Sequence, residues 1–129
     1  MRTNYLCLSD GQATRLRLAL PADDELDGAV RRLGAFSDPT RLRVAMVLAA
    51  ASELCVGDTA ALLGLPVKLV SHHVRSLAER GLATKHRDGK LIRYQLTDEA
   101  RRLLEAALGR GLPIRVEVAH DAHVDVVAR

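Results

Sequence analysis

"VGDTAALLGLPVKLVSHHVRSLAERGLATKHRDGKLIRYQL", residues 56–96, holds two helical runs parted by a glycine, followed by two strand-like runs that meet at Asp-Gly. The first run, Val56 to Leu63, is halted by Gly64, and Pro66 is placed to open the second, where its missing N–H removes no intrahelical bond. From Pro66 to Arg80, Val70, Val74, Leu77 and Ala78 fall on one helical face, while Lys68, Ser71, His72, Arg75 and Glu79 take the opposite one. Gly81 supplies the stop. "LATKHRDGKLIRYQL", residues 82–96, then reads as a hairpin turning at Asp88-Gly89, with Lys85, Arg87, Lys90 and Arg93 clustered about its tip.

Working outward, "SDPTRLRVAMVLAAAS" (37–52) offers Asp38 as N-cap and Pro39 at the first helical position, which predicts a core helix ending near Ala50. Pro21 with Asp23 and Asp24 predicts an earlier helix from about Asp24 to Phe36, because carboxylates stabilise a first turn. Before it, "TRLRLAL" (14–20) alternates Arg and Leu with a strand-like period of two. Beyond the hairpin, Thr97 or Asp98 caps a last helix to about Gly109, with Leu103, Leu104, Ala107 and Leu108 as its apolar side. Pro113 breaks the pattern, and "IRVEV" (114–118) alternates again, as a strand that could pair with "LRLAL" (16–20).

At 129 residues the chain suits one winged domain, residues 23–112, flanked by an N-terminal arm (1–22) carrying Cys7 and a C-terminal extension (113–129). The hydrophobic share is 48% but the aromatic share only 2%, so the core must be built from Leu, Val and Ala, which favours a mainly α fold with a small β-hairpin wing. Lys plus Arg total 19 against 16 Asp plus Glu, with a pI near 9.2, a mildly basic balance that permits a polyanionic partner. No secretory leader or membrane-length apolar run is visible, which predicts a cytoplasmic protein without a membrane partner. Cys7 and Cys55, the two cysteines, lie too far apart for a Cys-x-x-Cys pair; in a reducing compartment both stay free to hold a soft metal or to react.

A helix, a glycine turn, a polar second helix and a basic hairpin together suit DNA, because the major groove admits an α-helix whose side chains read base edges while nearby cations hold phosphates. The expected DNA-binding residues are Lys68, Ser71, His72 and Arg75 on the second helix, and Lys85, Arg87, Lys90 and Arg93 on the wing. One such module covers only a few base pairs, so a homodimer reaching two half-sites of a double-stranded operator is expected, with the first helix and the helix after the wing as its dimer surfaces.

The run from Phe36 to Ala100, through "DPTRL", "ELCVGD", "SHHVRSL" and "DGKLIRYQLTDE", resembles the ArsR/SmtB family of dimeric winged-helix repressors that sense metals. It is most similar to the cadmium- and lead-sensing branch, whose members carry a Cys-Val-Cys at "ELCVGD" and further cysteines in an N-terminal arm. The resemblance implies that Cys55 matches the first of that pair and Cys7 an arm cysteine, while Gly57 stands in place of the second. It therefore implies a metal-responsive repressor released by a thiophilic divalent ion (Hg, Cd, Pb or Zn) bound through Cys7 and Cys55, with no catalytic residues. Two thiolates suffice for a linear mercuric ion, whereas cadmium, lead or zinc want more donors. A second family site, used for zinc, is matched only by Asp98; Ala100, Gly111 and Ile114 stand at its other positions, so that site is expected to be lost. His120 and His123 have a His-x-x-His spacing, more often an exposed tail than a metal pair, and His73, beside the apolar face, is expected to be structural.

Two other readings remain. Cys7 and Cys55 could form a disulfide under oxidation, making the protein a thiol redox-sensing repressor. A Cys/His enzyme is the least supported, since there is no acidic dyad, phosphate loop or nucleophile elbow.

Overall fold

The structure is a computed structural model that describes residues 5–118, and it divides after Val30 into two compact units. The elements are α1 (Asp10–Leu18), α2 (Asp23–Gly34), a 3-10 turn (Ala35–Ser37), α3 (Pro39–Ala50), β1 (Leu54–Cys55), α4 (Val56–Leu63), α5 (Val67–Glu79), β2 (Ala83–Asp88), β3 (Leu91–Leu96) and α6 (Asp98–Leu108). The three strands form one antiparallel sheet in the order β1-β3-β2, so the fold is a winged helix-turn-helix, mainly α with a small sheet, as the sequence predicts.

The caps explain the element boundaries. The Asp38 carboxylate accepts the amides of Thr40 and Arg41 and opens α3 with Pro39 inside its first turn. Thr97 caps α6 by accepting the Ala100 amide at 3.2 Å. Between α4 and α5, Gly64 adopts φ 66°, a left-handed conformation that costs an L side chain energy, which is why the chain can turn there within three residues. The hairpin differs from expectation by one residue. Asp88 pairs with Leu91, so the two-residue loop is Gly89-Lys90, with only Gly89 at positive φ.

In the larger unit the core is aliphatic: Leu48, Leu77, Leu82, Leu104, Val44, Val70 and Val74 are its largest fully buried side chains apart from Thr59. Aromatic residues add little, with Tyr94 buried in that core and Phe36 half-buried against it. Ala107 and Leu108 stay exposed, so the buried side of α6 is carried by Ala100 and Leu104.

Two expected strands are corrected. Residues 14–20 are not a strand, because α1 extends through Leu18: Ser9 accepts the Gln12 amide at 3.1 Å while the Gln12 side chain accepts the Ser9 amide at 3.0 Å. That reciprocal cap, with Asp10 in the first turn, satisfies helix-start donors that a strand would leave open, and outweighs the two-residue alternation. The "IRVEV" segment instead makes one parallel bridge, Val116 to Ala51, closed by Ser52 N–H to Val116 O (2.8 Å) and Val116 N–H to Ala50 O (2.7 Å). His120 and His123 lie outside the described residues.

Candidate nucleic-acid interface and the two thiols

The polar face of α5 is presented by the burial of the other. Val70, His73, Val74 and Leu77 are buried, and α5 packs against α3 and α4, which leaves Lys68, His72 and Arg75 exposed and Ser71 half-buried. Arg75 Nε donates to the Ser71 carbonyl at 3.4 Å, so its guanidinium lies back along the helix. Close packing of an apolar face fixes a helix more firmly than surface polar contacts do.

His73 lies under this face at 5% exposure, edge-on to His72, and its Nδ1 has no hydrogen-bond partner. Burial pushes its pKa below the ordinary 6.5; the nearby Asp38 carboxylate opposes this, while Arg41 and His72 reinforce it. Asp38 moves down from 3.8 as well: burial alone would raise it, but the Arg41 and Thr40 amides, with the charges of His73 and Arg41, more than offset that. A neutral, buried imidazole suits a structural residue.

On the wing, Lys85, Arg87 and Lys90 are exposed, and Arg87 Nη1 donates to the Gly89 carbonyl across the turn at 3.4 Å. Arg93 differs from the surface cation the sequence suggests. It is buried, with its Nη1 2.7 Å from Asp88 Oδ2 and 4.0 Å from Glu53 Oε1. A guanidinium out of water needs such carboxylates, so Arg93 is committed to the interior of the sheet. Glu53 Oε2 also lies 3.8 Å from His86 Nδ1. Sequence reading missed Glu53 and Asp88 as its partners; the signal available was the two-residue alternation that puts Glu53 and Cys55 on one side of the strand.

Cys55 ends β1 opposite Arg93 and is also the N-cap of α4: its Sγ accepts the Asp58 amide at 3.4 Å, and its carbonyl accepts the Thr59 hydroxyl at 2.9 Å. It is half-buried and free. Cys7, in the N-terminal unit, is exposed and free. Among the described residues no three His, Cys, Asp or Glu side chains gather to hold a metal ion. Asp98 is exposed at the start of α6, with Arg115 Nη2 at 3.8 Å from its carboxylate; Ala100 is buried and Gly111 and Ile114 are exposed. No helix among the described residues is long and apolar enough to cross a membrane.

Residues 38–85, from the N-cap of α3 into β2, match the family described as "Bacterial regulatory protein, arsR family". The chain is 35% identical over 101 residues to the "Cadmium resistance transcriptional regulatory protein CadC homolog" of Staphylococcus aureus, a match covering 78% of this chain and 83% of that relative. Among solved structures, the AntR antimony-specific transcriptional repressor superposes with a TM-score of 0.56 at 26% identity, over 82% of this chain and 85% of that one. The homodimeric winged helix-turn-helix DNA-binding domain (fragment 1–100) of Mb0332 from Mycobacterium bovis shares the fold, with a TM-score of 0.63 at 24% identity, over 70% of this chain and 87% of that one.

Proposed function

Because the chain belongs to the arsR family of bacterial regulatory proteins, whose fold and relatives are those of transcriptional regulators and not of enzymes, we propose that it is a metal-responsive transcriptional repressor. A homodimer holds operator DNA through α5 and the wing, and a thiophilic ion taken by Cys7 and Cys55 releases it. The observation that carries this reading is the exposed row Lys68, His72 and Arg75 on a helix anchored by buried Val70, Val74 and Leu77, followed directly by a hairpin that bears exposed Lys85, Arg87 and Lys90. A helix held by its apolar face can enter the major groove without bending, and the hairpin cations reach the adjoining phosphates. Ser71 and His72 are the base-edge or phosphate contacts, and Lys68 and Arg75 add charge. The names of the relatives, cadmium resistance and antimony-specific repression, support the metal. Leu26 and Val30, one turn apart and exposed on α2, support a second copy as partner.

The donor set limits the ion. Without a three-residue cluster among the described residues, each chain offers two soft thiolates and no preformed four-donor site. Two thiolates suffice in number for a two-coordinate mercuric ion, whereas cadmium, lead or zinc need water or further side chains to complete the shell. Cys55 is the thiol placed to act on DNA binding, because it caps the helix on which α5 packs. An ion that favours the low-affinity form by about 3 kcal/mol lowers operator affinity roughly 150-fold.

The test is operator affinity measured with and without Hg(II), Cd(II), Pb(II) and Zn(II), using the duplex upstream of the protein's own gene. At least one ion is expected to weaken binding by about two orders of magnitude. Cys55→Ser is expected to keep metal-free binding and lose the response. If no ion changes affinity by more than about twofold, a margin below the usual coupling range, the metal reading fails. The same two free thiols support the redox reading, which would show as loss of thiol labelling after peroxide instead of protection by metal.

A further inference from the structure

Cys55 is connected to both parts of the candidate DNA interface. Forward in the chain it caps α4, on which α5 packs. Sideways, through β1, it pairs with Arg93 of β3, and two residues back Glu53 reaches the same Arg93 and His86 of β2. Arg93 in turn holds Asp88, the last residue of β2 before the Gly89-Lys90 turn. Register places His86, Arg93 and Cys55 in one row across β2, β3 and β1, so their side chains share a face of the sheet with that of Glu53.

We propose that Arg93, held between Glu53 and Asp88, is a positioning residue that couples the state of Cys55 to the presentation of the wing's cationic tip. The inference rests on reading Cys55 as the sensing thiol. Beyond that it assigns the route by which the thiol acts.

Glu53 and Asp88 both draw on Arg93. β2 beyond Ala83 is exposed along its whole length, so core packing reaches the far half of the wing only through β3, where Leu91 and Ile92 are half-buried. β2 itself is held there by its ladder to β3 and by the buried Arg93. The Arg93 side chain is 4% exposed and Glu53's 14%, whereas Asp88's is 48%: the cluster is driest at the end near Cys55. Charge interactions strengthen as water is excluded, so the Glu53 end is the one whose displacement moves Arg93 most. A group bonded to Cys55 Sγ adds bulk at the 3.4 Å contact with the Asp58 amide and so presses on the two-residue strand that carries it. Glu53 moves with that strand. Arg93 then follows one carboxylate or the other, and Lys85, Arg87 and Lys90 move relative to α5.

The experiment needs no metal. In a Cys7→Ser protein, Cys55 is alkylated with iodoacetamide, forming one S–C bond as iodide leaves and the thiol proton passes to buffer. Amide hydrogen exchange is then followed across β2 and β3. Alkylation is expected to speed exchange at the wing tip by about tenfold in this background, and by less than about threefold once Glu53→Gln or Asp88→Asn is added, either variant serving should the other fail to fold. The proposal is overturned if alkylation leaves wing exchange unchanged, or if a folded carboxylate variant shows the full acceleration. The metal reading fails by a different result, an operator complex that survives ion binding, which does not touch this outcome.

Discussion

Helix α5 and the wing carry the cations expected to meet the same ligand but are held in place by unlike means. Val70, Val74 and Leu77 of α5 are buried to within 1% in an aliphatic core shared with α3, and the helix cannot shift without opening that core. Beyond Ala83, β2 buries nothing, and its tip is tied back through Arg93 to Asp88 and Glu53. Close-packed interiors resist small displacements, whereas a single ion-pair cluster has discrete alternatives. The same cationic chemistry is thus mounted once on a rigid support and once on an adjustable one. The adjustable support is the one attached to the thiol strand.

The difference can be broken most severely at the rigid end. Leu77→Ala is expected to cost about 2–5 kcal/mol in denaturant unfolding, since it empties a fully buried site. A cost below about 1 kcal/mol would mean that α5 is not anchored by packing. At the adjustable end, Arg93→Met is expected to cost about 1–3 kcal/mol, less than a fully buried pair because Asp88 is half-exposed. An unchanged stability would show that the wing has another anchor.

Smaller effects sharpen the contrast at the DNA. Arg75→Ala on α5 is expected to lose about 1–3 kcal/mol of operator affinity and to reduce discrimination against altered operators. Lys90→Ala on the wing is expected to weaken all duplexes alike and to lower the salt slope by about one unit, as a phosphate contact does. Exchange of these two signatures, with discrimination lost at Lys90 and salt dependence at Arg75, would reverse the assignment of reader and clamp.

The smallest expected effect is the pH response of α5 packing. His73 is buried with its pKa lowered from 6.5, so the unfolded chain takes up this proton first on acidification. Its contribution to stability is complete above about pH 6.5 and is lost as pH falls from there through the folded value. Asp38, lowered from 3.8, loses its contribution only in stronger acid. Unfolding midpoints at about pH 7 and pH 5.5 are expected to differ more in the native protein than in His73→Gln. Equal differences would remove His73 as the titrating group.

How far the sequence discloses this arrangement depends on whether its determinants are local. Asp38-Pro39, Gly64, Thr97 and the Asp-Gly of the hairpin are short-range signals, and each sets a boundary within a residue or so of where it stands. The helix at Asp10–Leu18 is legible too, in Ser9 and Gln12, but the alternation of Arg15 and Arg17 with leucines conceals it from a reading based on hydrophobic period. Val116 finds Ala51 across a long stretch of chain, a pairing that no local pattern encodes. Arg93 is the instructive case: in a run with Lys85, Arg87 and Lys90 it looks like one more surface cation. Only the pairing of β1 with β3 shows that it faces Glu53 instead of solvent. The candidate DNA-contacting residues on α5 follow from helical spacing alone; what joins the thiol to the wing does not.

In the proposed switch, occupation of the thiols and occupation of the operator exclude one another. That exclusion is tested most directly by one titration of the protein–operator complex with Hg(II), recording thiolate-to-metal absorbance and operator anisotropy on the same sample. Anisotropy is expected to fall in step with rising absorbance, and Cys55→Ser to abolish both changes. Absorbance that saturates through Cys55 while the operator stays fully bound would contradict it.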